Sequence, residues 1–437
     1  MKKYVTNIYQ ALYLKEEQIA TVPFNDDYEW NVINVYPNLK IASWDGLGGA
    51  ITEASSVNYF KMTPQNRKKF LECYYGPAGL NYNLGRISIG SNDFCLASYE
   101  YCLQDDLSDF NIDHDKKTII PMLKDILAVK DVKLMASPWS PPKCFKTNND
   151  LEHGGRLLKE KYADYSKYLL KFLAAYQETG ISIDYLTIQN EPYANQRWES
   201  CLYSLEEQHL FMKKYLVPQL KKTKLKTKIF LWDHNKNNLY NVVNSLSFRN
   251  NLIAGVAFHN YAGMHFENLS LVHKNYPHYK LWCTENCTGF SKYDEKQWVH
   301  DAEIYMLEML ENINNGMNGY IDWNILLDQN GGPSHSQNYC KSPIILNENN
   351  EFILTSIYYY LKHLTSLVPV NSDSVVVDVY RPDLFACAFK NGSNLIILVL
   401  NVNDYPIEIS LVIENESCQD MVAEHSIVSY SYELKNA

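Results

Sequence analysis

Between Asp45 and Leu327 the chain alternates short apolar, β-prone runs with longer stretches in which apolar residues recur at helical spacing. That alternation is the pattern of a parallel sheet whose strands are joined by crossover helices. Eight runs are predicted as strands, over 45–52, 84–91, 132–137, 185–190, 228–233, 254–260, 280–285 and 319–324. Amphipathic segments lie between them. Within 161–177, Tyr165, Tyr168, Leu169, Phe172 and Leu173 fall at helical spacing, and 206–220 reads the same way.

After about Ile345 the pattern changes. Val375-Val376-Val377, 384–389 and 395–400 are β-prone runs separated by the turn sequences Asn391-Gly392 and Asp404-Tyr405-Pro406, which predicts an all-β module. Residues 1–43 also lack a sustained helical period and are expected to add strands to that module. The predicted fold is therefore α/β, a (β/α)8 barrel over 44–345 inserted between the two parts of a β-sandwich formed by 1–43 and 346–437.

Composition narrows the function classes. Fifty carboxylates against 40 Lys and Arg leave a formal charge of -10, which argues against nucleic acid as partner because neutralising phosphates needs clustered cations. Nowhere do 18 consecutive apolar residues occur, so no membrane span is expected. Lys15-Glu16-Glu17 and the polar residues Thr6, Asn7 and Gln10 interrupt any apolar leader near the N-terminus. The ten cysteines are scattered and form no Cys-x-x-Cys pair, so reduced thiols and a cytoplasmic location are expected. Aromatic residues make up 13% of the chain, a content that suits the packing of sugar C–H faces on π faces.

The chemistry is expected at the C-terminal strand ends, where barrels of this type carry their reacting groups. Those ends are polar throughout: Arg86 and Asp93, Trp139, Asn190-Glu191-Pro192, Asp233-His234, His259 and Tyr261, Glu285-Asn286, and Asp322-Trp323-Asn324. Hydrolysis of a glycosidic bond needs one carboxylic acid to protonate the leaving oxygen and one carboxylate to meet the oxocarbenium-like centre. Glu191 and Glu285 end the fourth and seventh predicted strands and form the expected pair, although a strand-end Glu can also cap the next helix.

The two must differ in protonation. Arg86 is the candidate cation for keeping Glu285 ionised, unless it pairs with another carboxylate, and repulsion between the two glutamates raises the acid. Asn190 can bond a sugar 2-hydroxyl or close a strand-end turn. Trp323 is the expected stacking platform, with Trp139, Asp93 and Asn338 as candidates for binding hydroxyls. His234 and His259 with Asp233 are metal-binding residue types, but strand-end histidines with ordinary partners are commoner. Cys283 and Cys287, on either side of Glu285, read as small buried hydrophobes. No metal and no cofactor are expected.

Several motifs in order resemble glycoside hydrolase family 30, and within it the acid β-glucosidase (glucosylceramidase) branch and its bacterial relatives. They are Gly46-Leu47-Gly48-Gly49-Ala50-Ile51-Thr52-Glu53, Ala136-Ser137-Pro138-Trp139-Ser140-Pro141-Pro142 with Lys146-Thr147-Asn148, Gln189-Asn190-Glu191-Pro192, and Asp322-Trp323-Asn324 with Gly331-Gly332-Pro333. The resemblance runs from about Trp44 to the C-terminus. It implies a barrel joined to a β-sandwich, retention of anomeric configuration and no cofactor. It also implies Glu191 as acid/base, Glu285 as nucleophile, Asp93, Trp139, Asn190, Trp323 and Asn338 as glycone contacts, and Arg86, His259 and Tyr261 around the nucleophile. The chain departs from the family at His259-Asn260-Tyr261, where relatives commonly read His-Trp-Tyr, and at Lys143-Cys144-Phe145 and Asn286-Cys287.

The expected function is that of a retaining β-glycosidase acting on β-glucosides, whether small glucosides or glucosylceramide-like lipids of sphingolipid metabolism. Within the same family the alternatives are an endo-β-1,6-glucanase and a β-xylosidase or β-fucosidase. The non-enzymatic alternative is a glycan-binding pseudoenzyme, which would be under no requirement to keep both carboxylates.

Overall fold

Eight parallel strands close into a barrel, and each coincides with one of the predicted runs. They are β1 (Gly46–Ala50), β2 (Leu84–Ile89), β3 (Lys133–Pro138), β4 (Tyr185–Thr187), β5 (Lys228–Asn235), β6 (Ile253–His259), β7 (Lys280–Glu285) and β8 (Gly319–Asp322). The computed structural model that shows this describes residues 1–23, 31–289 and 297–435. Closure comes from β8 pairing with β1, Gly319 opposite Gly46 and Asp322 opposite Gly49. A Cβ on Gly48 would lie 1.9 Å from the Leu84 carbonyl oxygen, so β1 and β2 approach at a spacing that only glycine permits.

Strand alternation sorts the barrel interior into layers. Leu84 shares a face with Arg86, Met135 with Ser137, and Tyr185 with Thr187. Leu84, Met135, Phe230, Ala257, Trp282 and Ile321 form an apolar floor. Towards the C-terminal mouth, Arg86, Ser137, Thr187 and Asp233 form a polar layer joined by hydrogen bonds. The outer helices cover the other strand faces. Helix Tyr162–Glu178 buries Tyr165, Tyr168, Leu169, Phe172 and Leu173, the face its periodicity predicts. Over 205–220, a capping box of Ser204 and Glu207 starts Leu205–Phe211, and a π-helical turn at Met212–Leu216 leads into Val217–Leu220, where Pro218 has no N–H to donate.

Among the described residues the β module is one ten-stranded sheet drawn from both ends of the chain. Lys2–Asn7 pairs antiparallel with Ser426–Glu433, and Val32–Ser43 lies between Asp373–Val379 and Ile407–Ile413. In Asn394–Asn401, Leu395, Ile397 and Val399 enter the module's own core, while Ile396, Leu398 and Leu400 join the core of the barrel. A strand apolar on both faces thus attaches the sheet to the barrel helices.

One stretch departs from the all-β expectation. Ser356–Leu367 is a helix, because Ile357, Tyr360, Leu361 and Leu364 bury at helical spacing although Tyr358-Tyr359-Tyr360 reads as β-prone. It packs against Trp298–Asn314 and the sheet, and both ring nitrogens of its His363 are hydrogen-bonded, to Ser429 Oγ and Thr6 Oγ1, each at 2.8 Å. Among the described residues no helix is long and apolar enough to cross a membrane.

Candidate active site

Two irregularities beside β6 bring the central groups together. Ala257 pairs with Trp232 and Phe258 with His234, so Asp233 is an extra residue in β5. Phe258 pairs with Cys283 and His259 with Glu285, which makes Thr284 the extra residue in β7. Bulges of this kind re-aim a side chain, and here both turn inward, where Thr284 Oγ1 donates to Asp233 Oδ1 at 2.7 Å. Trp232 and Asp233 adopt φ of +73° and +84°, and Glu191, just beyond β4, adopts +46°. Non-glycine residues in the left-handed region are strained and persist where packing over-determines them.

Asp233 is the hub of the site. Its Oδ2 accepts from Thr187 Oγ1 at 2.6 Å, Ser137 Oγ at 2.8 Å and Arg86 Nη2 at 3.0 Å, and its Oδ1 lies 3.1 Å from His259 Nε2. Burial opposes its ionisation, but Arg86 and His259 hold its carboxyl far below the usual range. Arg86 continues outward, with Nη1 donating to Glu285 Oε2 at 2.5 Å and Nη2 to Asn190 Oδ1 at 2.7 Å. His259 Nδ1 lies 3.3 Å from Glu191 Oε1. Burial would lower this histidine, yet the charge of Glu285 and the bonds to Asp233 and Glu191 raise it to about 9. It is therefore an imidazolium at neutral pH.

Two buried cations thus face three carboxylates. An uncompensated buried charge is costly, so the cluster balances when Glu191 and Glu285 hold one proton between them. Burial and the charge of Glu191 push Glu285 up, against His259 and Arg86. Contrary to the expectation that repulsion raises Glu191 and Arg86 keeps Glu285 low, the His259 hydrogen bond holds Glu191 low against its own burial, and it is Glu285 that is raised. His234, 3.7 Å from Glu191 Oε1, is pushed down by burial to about 4 and stays neutral.

Single ligand atoms of Glu191, His259 and Glu285 all lie within 4.8 Å of one another. The trio makes a poor metal seat, because both nitrogens of the protonated ring donate to carboxylates and leave no lone pair for an ion.

The mouth opens into a cavity of about 290 Å³ lined by Glu191, Glu285 and, among others, Asp93, Trp139, Asn190, Trp198, Tyr261, Trp323 and Asn338. Trp139 and Trp323 stack at 5.3 Å and 19°, and the Arg86 guanidinium lies 4.8 Å from the Trp139 ring centroid. Asp93 Oδ2 accepts from Asn338 Nδ2 at 2.7 Å, while its buried Oδ1 has no partner among the described residues. An orphan acceptor on a cavity wall suits a ligand hydroxyl.

The family model for the glycosyl hydrolase family 30 TIM-barrel domain matches residues 44–368. The chain belongs to glycoside hydrolase family 30. Mouse lysosomal acid glucosylceramidase is 28% identical over 411 residues, 87% of this chain and 79% of the mouse protein. The solved structure of SrfJ from Salmonella typhimurium superposes with a TM-score of 0.94 at 29% identity, over 99% of each chain. A solved endo-β1,6-glucanase superposes with a TM-score of 0.85 at 29% identity, again over 99% of each.

In this family 30 hydrolase the residues singled out from the sequence converge. Glu191, Glu285, Asp93, Trp139, Asn190, His234, Tyr261, Trp323 and Asn338 line the cavity, and the buried Arg86 and His259 contact Glu285 and Glu191. Reading the sequence missed the central part of Asp233, which stood out only as a strand-end polar residue, and the wall residues Trp198, Gln196, Asn235 and Cys340. Trp198 and Gln196 follow Glu191 in irregular chain with no periodicity to mark them.

Proposed function

We propose that this family 30 hydrolase cleaves β-glucosides with retention of configuration, Glu285 acting as nucleophile and Glu191 as acid/base. The reading rests on one observation, one carboxylate oxygen of Glu191 lying within 4.8 Å of one of Glu285. Retaining enzymes hold the two carboxyl groups about 5–5.5 Å apart, whereas inverting ones leave about 6.5–9.5 Å for a water.

The donors support these roles. Arg86 reaches Glu285 at 2.5 Å, while the nearest donor to Glu191, His259 Nδ1, stands at 3.3 Å and its ring also serves Asp233. With the glycone in place, positive charge develops at the anomeric carbon beside Glu285. That charge favours the ionised form there and leaves the shared proton on Glu191, next to the leaving oxygen. Glu191 passes the proton to that oxygen as Glu285 forms the glycosyl ester. Ionised Glu191 then takes a proton from the water that releases the sugar.

Aryl β-glycosides test the reading. Aryl β-glucoside should be hydrolysed faster than the matching xyloside, fucoside or galactoside, and NMR should show β-glucose released first. Initial release of the α-anomer would overturn retention.

A second reading, endo-β-1,6-glucanase, is supported by the likeness to the solved enzyme of that name. Long β-1,6-glucan cleaved internally, and faster than aryl glucosides, would favour it. A cytoplasmic location belongs to the first reading, since all ten cysteines are free thiols. Cell fractionation tests it.

A further inference from the structure

Two thiols meet in the wall of the active-site cavity. Cys287 stands two residues beyond Glu285, Cys340 two beyond Asn338, and both line the cavity that holds the glutamate pair. Their sulfurs are 3.1 Å apart although the residues are 53 positions apart in the chain. Cys287 is 7% exposed and Cys340 2%. They are packed with Phe94, Trp139, Trp323 and Leu327, and Tyr261 donates its hydroxyl to Cys287 Sγ at 3.6 Å.

Each thiol sits on a separately anchored loop. Asn286, beside Cys287, donates from Nδ2 to Glu308 Oε2 at 3.0 Å, and its carbonyl accepts from the Trp323 N–H at 2.8 Å. Lys341, beside Cys340, forms a buried ion pair with Asp301 at 2.7 Å. Packing alone needs no second cysteine here, since any small apolar residue would fill the space.

We propose that Cys287 and Cys340 form a redox-reversible modification site, which small-molecule disulfides oxidise to an intramolecular disulfide that slows the enzyme. Cys287 reacts first, being the more exposed, while its hydrogen bond and burial raise the Cys340 thiol. As thiolate, Cys287 attacks one sulfur of the reagent RS–SR and expels the first RS⁻. Cys340 then attacks the mixed disulfide at the Cys287 sulfur and expels the second. The protein loses two S–H bonds and gains one S–S bond. The reagent is reduced to two thiols, which carry away the two protons.

Oxidation joins the two sulfurs, which already lie in contact at 3.1 Å. The bond ties the loops that carry Glu285 and Asn338 to each other and removes the thiol that Tyr261 bonds. A misplacement of about 1 Å at a reacting group costs roughly 10²-fold in rate.

The test treats the full chain with 2-hydroxyethyl disulfide and compares activity on an aryl β-glucoside with a non-reducing peptide map. The map should show a Cys287–Cys340 cross-link with the loss of two hydrogens. The same sample should lose at least about 10-fold in kcat/KM and recover with dithiothreitol. C287S, measured against its own reduced state, should lose nothing, whereas C340S should stop at the mixed disulfide and carry one reagent-derived thiol on Cys287 with no cross-link. Absence of the cross-link, a cross-link with unchanged activity, or inhibition of C287S equal to that of the wild type each overturns the proposal.

Should a serine variant fail to fold, C144S, which alters a half-buried thiol outside this pair, takes its place and must keep the wild-type response. If no β-glycoside is hydrolysed, the proposed substrate fails, while the peptide map alone still decides whether the disulfide forms.

Discussion

Asp233 Oδ2 accepts from Arg86 Nη2 at 3.0 Å with both side chains wholly enclosed. Asp233 also reaches His259, so one buried anion positions both cations that face the glutamate pair.

D233N keeps the shape of the side chain and removes its charge. An amide can accept on one atom only, so either Arg86 or His259 meets an N–H in place of an oxygen. Breaking a buried ion pair from one side costs about 3–5 kcal/mol, and urea denaturation should show a loss of that size. His259, deprived of one carboxylate that raises it to about 9, should titrate lower and move the alkaline limb of kcat/KM to lower pH. An unchanged alkaline limb would show that His259 does not govern it.

Much of this arrangement was legible in the sequence. Barrel strands covered on both faces read as apolar runs, and their ends carry the polar residues that have no use in a core. Glu191, Glu285, Arg86 and Trp323 could therefore be placed together from position alone. Asp233 could not, because its inward turn depends on a bulge built at Trp232 and Asp233 without the glycine that usually marks positive φ. Cys287 and Cys340 lie 53 residues apart on two loops, and no local pattern joins such positions. The helix Ser356–Leu367 was masked by a run of tyrosines whose β-propensity tertiary packing overrides.

Trp323 has two jobs that W323A separates. It lines the cavity, yet it is only 3% exposed because Trp139 covers one face. The variant should lose about 3–5 kcal/mol of stability, the usual cost of truncating a buried aromatic, together with much of its kcat/KM. Because the two rings support each other, W139A/W323A should lose less than the sum of the single variants. Additive losses in thermal denaturation would mean that the rings are energetically independent.

His363 should make the fold acid-sensitive. Burial pushes it down to about 3, whereas in the unfolded chain it titrates near 6.5. Below about pH 6.5 the unfolded state therefore binds a proton that the folded state refuses. Stability falls with pH by up to about 1.4 kcal/mol per unit, and this loss ends as the pH passes the folded value. H363Q should flatten the decline of Tm between pH 6.5 and 4.5, even if it is less stable at pH 7. An equally steep decline in H363Q would place the acid sensitivity elsewhere.

Glu285 and Glu191 are separated by what each variant can still do. A nucleophile forms the glycosyl bond itself, so E285Q should fail on every substrate whatever its leaving group. An acid only protonates the departing oxygen, and a very acidic phenol departs without it. E191A should therefore release one equivalent of such a phenol in a burst and then stall, because no base remains to activate water. Before the burst, the free Glu285 carboxyl of E191A no longer feels the charge of Glu191, which in the wild type pushes it up. The acid limb of the burst rate should accordingly move to lower pH. Azide needs no deprotonation and attacks the ester from the face that Glu191 leaves open, so the rescued product should be the β-glycosyl azide. In E285G, azide occupies the space of the lost nucleophile and should give the α-azide. Products of the opposite configuration would exchange the two roles.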